Sequence, residues 1–199
     1  MQDSNKKTLE AYEEDIQGYI NNTSQEVDGE FKKWIDRALD SIPSDGRVLE
    51  IGSASGRDAE YIKQKGFNIV PTDAAEGFVS ILKQRGYDAR KLNILTDKID
   101  GKYDMVFANA VFLHFNPEEL RNVLEKIKGA LKLNGILAFS VKEGEGSGWS
   151  DHKLKSPRFF QYWKSEPLKK LLEESGYETL EMTEIIGKGD KGWLQTIAK

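Results

Sequence analysis

Apolar residues recur along this chain in two different rhythms. In residues 8–20, Leu9, Tyr12, Ile16, Tyr19 and Ile20 return at helical spacing; Phe31, Trp34, Ile35, Ala38, Leu39 and Ile42 repeat the pattern. Asn21-Asn22-Thr23 separates these two helices, Pro43-Ser44-Asp45-Gly46 ends the second, and the polar residues 1–7 are expected to fray. Beyond Arg47 the rhythm shortens. Apolar runs at 48–51, 67–72, 87–92, 103–108 and 136–141 read as strands, and amphipathic stretches at 57–65 and 75–85 read as helices stopped by Gly66 and Gly86. Asn116-Pro117-Glu118-Glu119 opens a further helix with an N-cap residue, a proline at the first position and acids in the first turn. Its core face is Leu120, Val123, Leu124, Ile127 and Leu131, and Leu133-Asn134-Gly135 is expected to turn the chain. Residues 143–150 are glycine-rich and expected to be mobile. Ser165-Glu166-Pro167 starts a last helix carrying Leu168, Leu171 and Leu172. Residues 177–186 and 193–198 form an antiparallel pair about a turn at 187–192.

Strands alternating with helices predict an α/β fold with a parallel sheet and right-handed crossovers. In such sheets ligands sit outside the strand C-termini, near the point where strand order reverses. The first strand runs into Glu50-Ile51-Gly52-Ser53-Ala54-Ser55-Gly56, a turn of small residues that lets a ligand approach bare backbone and the N-terminus of the next helix. A dinucleotide fingerprint needs glycine at the first, third and sixth positions of the turn. Here Ala54 and Arg57 hold the third and sixth, so a pyrophosphate cradle and a dehydrogenase are disfavoured. Asp73 ends the second strand about 20 residues on, the spacing of a ribose-binding carboxylate. The competing reading of Asp73 is an N-cap for the following helix.

Glu-x-Gly-x-Ala-x-Gly resembles the Asp/Glu-x-Gly-x-Gly-x-Gly signature of class I S-adenosylmethionine-dependent methyltransferases, with Ala54 where that family usually has glycine. The Leu-Lys-x-x-Gly-Ile-Leu run ending at Leu137 is also typical of it. The resemblance implies a Rossmann-like three-layer α/β sandwich with a mostly parallel seven-stranded sheet, one antiparallel strand and extra N-terminal helices. It implies S-adenosylmethionine as cofactor, held by Glu50, Gly52, Ser53, Ala54, Gly56, Arg57, Asp73, Ala74, Asn93, Ile94, Asn109 and Ala110. Asn93 stands where the family often has an acid that bonds the adenine amino group; its amide oxygen can accept the same bond. Arg57 is a candidate partner of the cofactor carboxylate or, alternatively, of Asp58 or Glu60. In similar enzymes the N-terminal helices cover the cofactor or shape the substrate pocket; otherwise Tyr12 and Tyr19 simply pack on the core. Tyr19, Phe112, Phe115 and Phe160 are candidate acceptor contacts. His114 is the one plausible histidine base, and a structural histidine at a helix entrance is its alternative. Asp104, at the start of its strand, is structural.

Composition narrows the picture. At 199 residues the chain is expected to form one domain, residues 1–42 as a helical cap and 47–199 as the core. The net charge of −4 gives no general attraction to phosphate backbones or anionic membranes. There is no cysteine, and the two histidines are too few for a metal cluster, so no metal is expected. No membrane-spanning run or leader is seen, so a soluble cytoplasmic protein, monomeric or homodimeric, is the default. These features favour transfer of a methyl group to oxygen, nitrogen or sulfur of a small molecule. Basic and aromatic residues interleave at 152–164, which keeps an RNA methyltransferase as the alternative. A cofactor-binding protein without transferase activity is the other.

Overall fold

The computed structural model of the protein describes residues 3–186 and 192–199. Three helices come first: α1 (Asp3–Glu14), α2 (Ile16–Asn21) and α3 (Gly29–Asp40). The alternating part follows as β1 (Arg47–Ile51), α4 (Arg57–Gln64), β2 (Asn68–Asp73), α5 (Glu76–Gln84), β3 (Arg90–Lys91), β4 (Tyr103–Asn109), α6 (Pro117–Ala130) and β5 (Leu131–Lys142). Two short strands, β6 (Ser147–Ser150) and β7 (Arg158–Gln161), lead to α7 (Ser165–Glu174), β8 (Thr179–Ile186) and β9 (Gly192–Ala198).

Seven strands form one sheet in the order β3-β2-β1-β4-β5-β9-β8. Pairings from β3 through β5 are parallel, and β9 runs antiparallel to both neighbours, so it is the single reversed strand. Strand order reverses between β1 and β4, which opens a crevice at their C-terminal ends.

Alternation along each strand divides the core into two layers. Leu49, Val106, Leu137 and Phe139 face Leu120, Leu124, Leu168 and Leu172 of α6 and α7. Val48, Met105, Phe107 and Ala138 face Trp34, Ile35 and Ala38 of α3. Asn116 closes the N-terminus of α6 with a reciprocal pair of bonds: Glu119 N–H donates to Asn116 Oδ1 at 2.9 Å and Asn116 N–H to Glu119 Oε2 at 3.2 Å. At the opposite end of the sheet Asp104 accepts from Arg47 N–H and Lys132 Nζ, a purely structural role.

Five local expectations are corrected. Residues 1–7 do not fray throughout, because α1 begins at Asp3 and Asn5 is buried, donating to Glu119 Oε2 at 2.8 Å. The helix expected over 8–20 breaks at Asp15, whose carboxylate caps α2 through Gly18 N–H. The strand expected at 87–92 shrinks to Arg90–Lys91, since Tyr87 and Ala89 are committed to packing on α5. No turn interrupts 133–135: β5 runs through it as a bulge, with Asn134 at φ 69° and a register shift opposite Tyr103 and Met105. The glycine-rich 143–150 likewise contains β6, which pairs antiparallel with β7. The turn expected at 187–192 lies, but for Gly192, outside the described residues.

Candidate active site

The turn after β1 is built on left-handed backbone. Gly52 (φ 72°), Ala54 (φ 47°) and Gly56 (φ 87°) all lie there. A Cβ on Gly52 would meet Val111 Cγ2 at 2.5 Å and one on Gly56 would meet Leu82 Cδ2 at 2.8 Å, so glycine is required at both. Ala54 occupies this region at a conformational cost. Two ties hold the turn to β2. Ser53 N–H donates to Thr72 O and Thr72 N–H to Ser53 Oγ, while Ala54 N–H donates to Asp73 Oδ2 at 2.9 Å. The other carboxyl oxygen of Asp73 accepts from Ala75 N–H at 2.9 Å. Ala75, not Asp73, is the N-cap residue of α5. Burial raises the Asp73 carboxyl to a pKa of about 6, against the pull of these N–H donors. Each oxygen keeps lone pairs for further donors.

A cavity of about 110 Å³ opens beside Asp73. Its inner wall is Gly52, Ala54, Asp73 and Ala74 on one side and Asn109, Ala110 and Val111 on the other, with Leu92, Asn93, Ile94 and Phe78 forming an apolar end. Its outer wall is Asn5, Thr8, Leu9 and Tyr12 of α1 with Tyr19 of α2, and His114 and Phe115 complete it. The ends of β1, β2 and β4 and the segment after β3 thus converge, as the strand pattern implies. Asn93 lines the cavity, but its amide oxygen already accepts from Leu95 N–H at 3.1 Å. Beyond Ala110, itself at φ 58°, Ser140 Oγ accepts from Ala110 N–H and donates to Asn109 Oδ1, fixing that wall.

Several expected contacts stand off the wall. Glu50, 2% exposed, lies below the turn with Oε2 unpartnered; burial, reinforced by Asp58, raises its pKa to about 8. Ser53 spends its side chain on β2, and Gly56 packs on Leu82. Arg57 takes the local alternative: Nε pairs with Asp58 Oδ1 at 2.6 Å, Nη1 donates to Ser24 O and the guanidinium covers Phe31. Asp58 in turn accepts from Asn109 Nδ2 at 2.9 Å, so this ion pair braces the cavity from behind. Phe112 is fully buried against Phe115 and Phe139, and Phe160 packs on His114; neither lines the cavity.

His114 sits in a single 3₁₀ turn, Phe112–His114, after β4. Its Nδ1 is 2.6 Å from Phe159 O, an acceptor only, so Nδ1 carries the proton. Nε2 therefore accepts, and Tyr12 O–H donates to it at 2.9 Å. Arg158 Nη1 donates to the same Tyr12 oxygen at 3.0 Å. Burial, with Arg158 and Lys142 nearby, lowers His114 to a pKa of about 3. Both nitrogens are occupied and the ring is neutral at physiological pH.

The sequence reading missed Asn5 and Thr8, and took Leu9 only as part of the helical apolar pattern. With Tyr12 they form a stripe at helical spacing, but its first members are polar and so escaped an apolar template. Under the RNA alternative 152–164 would be a contact strip, while its aromatics are equally candidates for pocket or core packing. Phe160 and Trp163 are buried, as core packing requires, and Arg158 is buried with them.

The sheet order, the single reversed strand and the crevice define a Rossmann-like fold of the methyltransferase type. Residues 24–182 match the family described as "Methyltransferase domain", and the chain belongs to that family. A malonyl-[acyl-carrier protein] O-methyltransferase from Acetivibrio thermocellus is 28% identical over 120 residues, 55% of this chain and 42% of the relative, so the chain spans less than half of that protein. Among solved structures, a DhpI–SAH complex superposes with a TM-score of 0.79 at 16% identity, covering 98% of this chain and 95% of the other. The 1,6-didemethyltoxoflavin-N1-methyltransferase of Burkholderia thailandensis, with its substrate and S-adenosylhomocysteine bound, gives 0.73 at 16%, covering 96% and 84%.

Two consequences are measurable. Ala54→Gly should stabilise the fold by about 0.5–1 kcal/mol in urea titration, because the relieved left-handed strain exceeds the entropy that glycine adds to the unfolded chain. Glu50 has a folded pKa near 8 against a reference of 4.5, so the folded state holds the extra proton in that window. Its contribution is full below about pH 4.5 and is lost as pH rises through 8. Thermal melts should show Tm falling from pH 6 to 8, and Glu50→Gln should flatten that fall.

Proposed function

We propose that this protein transfers the methyl group of S-adenosylmethionine to an oxygen, nitrogen or sulfur atom of a small molecule. The observation that carries the reading is the convergence of four strand-end segments on one cavity that contains a buried carboxylate, Asp73. The residues present fit the cofactor. Asp73 would accept from the ribose hydroxyls, Leu92, Ile94 and Phe78 would enclose the adenine, and the turn from Gly52 to Ala54 with Asn109 and Ala110 would border the methionine part. The cofactor supplies a methyl group already activated on a sulfonium.

What remains for the chain is alignment and exclusion of water. The outer wall from α1 and α2 does the second, closing the cavity with Leu9, Tyr12 and Tyr19. His114 is a positioning residue in this reading. Its lowered pKa and its bond from Tyr12 leave it a poor proton acceptor, so the acceptor atom enters with its lone pair free. A small acceptor suits a cavity walled by two helices. Among the described residues no helix is long and apolar enough to cross a membrane.

The reading is tested by calorimetry with S-adenosylhomocysteine and by methyl-label transfer across acceptor panels. Micromolar binding of S-adenosylhomocysteine is expected; absence of binding to folded protein defeats the assignment. Asp73→Ala should weaken that binding by about 1–3 kcal/mol, through loss of charge-assisted hydrogen bonds. Replacing His114 with Gln should leave the shape of the pH–rate profile unchanged, whereas a catalytic base would take a limb of the profile with it.

A further inference from the structure

Arg158 is the most unusual charge in the molecule. It is 4% exposed, and among the described residues it forms no ion pair. Its Nε has no hydrogen-bond partner, and Nη1 spends its bond on the neutral Tyr12 hydroxyl. The guanidinium is stacked 5.2 Å from the ring centres of both Tyr12 and Phe160, which lessens the penalty of burial but supplies no counter-charge. A buried cation without an anion is costly, and native structures normally pair it.

A second cation stands with it. Lys153 reaches in from the loop between β6 and β7 and lies over the ring of Tyr19, 5.8 Å from its centre. Its only polar side-chain contact is a long one, 3.4 Å, to Thr23 Oγ1, and it too forms no ion pair among the described residues. Burial lowers its pKa, and the fields of Arg158 and Arg57 lower it further. Tyr12 and Tyr19 touch edge to face, 5.4 Å between centres, and both line the cavity. Two uncompensated cations therefore back the same pair of cavity-wall tyrosines. The field of Arg158 is felt by three neighbours, Tyr12, His114 and Lys153.

We infer that the methyl acceptor is a small organic oxyanion, a carboxylate or a phosphonate or phosphate monoester, docked by Arg158 and Lys153 beside Tyr12 and His114. The inference rests on the methyltransferase reading above and adds the acceptor's chemical class. The guanidinium Nε has no partner and lies buried behind Tyr12 rather than on the cavity wall, so one oxygen of such a group reaches it only as it seats against Tyr12; the ammonium of Lys153 supplies the second positive charge. An oxyanion also needs no base to become nucleophilic. If one of its own oxygens is methylated, its lone pair forms the new C–O bond, the C–S electron pair returns to sulfur as a neutral thioether, and no proton moves. This agrees with a site whose only histidine has both nitrogens engaged.

The test uses the full chain saturated with S-adenosylhomocysteine, titrated with phenylacetate and phenylphosphonate against the neutral phenylacetamide, by calorimetry and ligand-observed NMR. The expected result is saturable binding of at least one acid, at least tenfold tighter than the amide. Which acid wins distinguishes carboxylate from phosphonate. Arg158→Gln should weaken that binding tenfold or more, Lys153→Met by a smaller factor, and Arg158→Lys should recover part of the loss. Affinity for S-adenosylhomocysteine should stay within twofold in each folded variant. Equal binding of acid and amide by the wild type, or undiminished acid binding by folded Arg158→Gln, overturns the inference alone. Failure of the wild type to bind S-adenosylhomocysteine at all overturns the methyltransferase reading, and this inference with it.

Discussion

The carboxylate of Asp73 is the constraint on which the cavity depends. One oxygen takes the N–H of Ala54 and the other that of Ala75, so a single side chain pins the turn after β1 to the turn after β2. Together with the Ser53–Thr72 pair, it holds a backbone with three nearby residues in left-handed conformation over the sheet edge. Burial works against the charge while the two amides favour it, and the outcome is a group that titrates close to neutrality. A further pair of donors, such as a vicinal diol, would shift that balance toward the ionised form. The side chain that shapes the cavity is therefore also the one best suited to read what enters it.

Around that pin, charge is distributed unevenly. Behind the inner wall, Asp58 carries both Arg57 and Asn109, and Glu50 lies buried nearby. On the outer side the positive groups prevail, with Arg158 and Lys153 against Tyr12 and Tyr19. Arg57 matches the carboxylate of Asp58 and burial favours the protonated form of Glu50, so the unmatched charge lies behind the aromatic wall. An anionic centre is favoured near that wall. Such polarity is fixed before any ligand arrives, which is the condition under which electrostatics helps a reaction.

The sheet was legible in the sequence because each central strand buries both faces and so reads as an unbroken apolar run: 48–51 and 103–108 are the clearest. The strand-end residues Gly52, Asp73, Asn93 and Asn109 could be placed on one edge for the same reason. What failed to show depends on partners distant in sequence. Ser147–Ser150 becomes a strand only because Arg158–Gln161 lies beside it, and its short Ser-Gly-Trp-Ser run carries no trace of that. Asn134 reads as a turn residue and is one in backbone angle, yet β5 pairs with β4 on either side of it, at Leu131 and Ile136, and the chain runs through as a bulge. Asn5 and Thr8 look like solvent-facing polar residues, but Glu119 Oε2 and the Phe159 amide are their partners. The buried state of Arg158 was hidden likewise, since a run of lysines, arginine and aromatics has the composition of an exposed strip.

The attachment of α1 has a consequence for timing. The helix has 12 residues, too few to persist alone in water. It is held by tertiary bonds at both ends: Asn5 to Glu119 and Thr8 to Phe159 on one side, Glu13 to the first amides of α5 on the other. Helix and outer wall are consequently one equilibrium, and releasing a molecule from the cavity on that side means unwinding as well as undocking. The residence time of whatever lies inside is then set by the local opening free energy of these first turns, a quantity that hydrogen exchange at their amides reports directly.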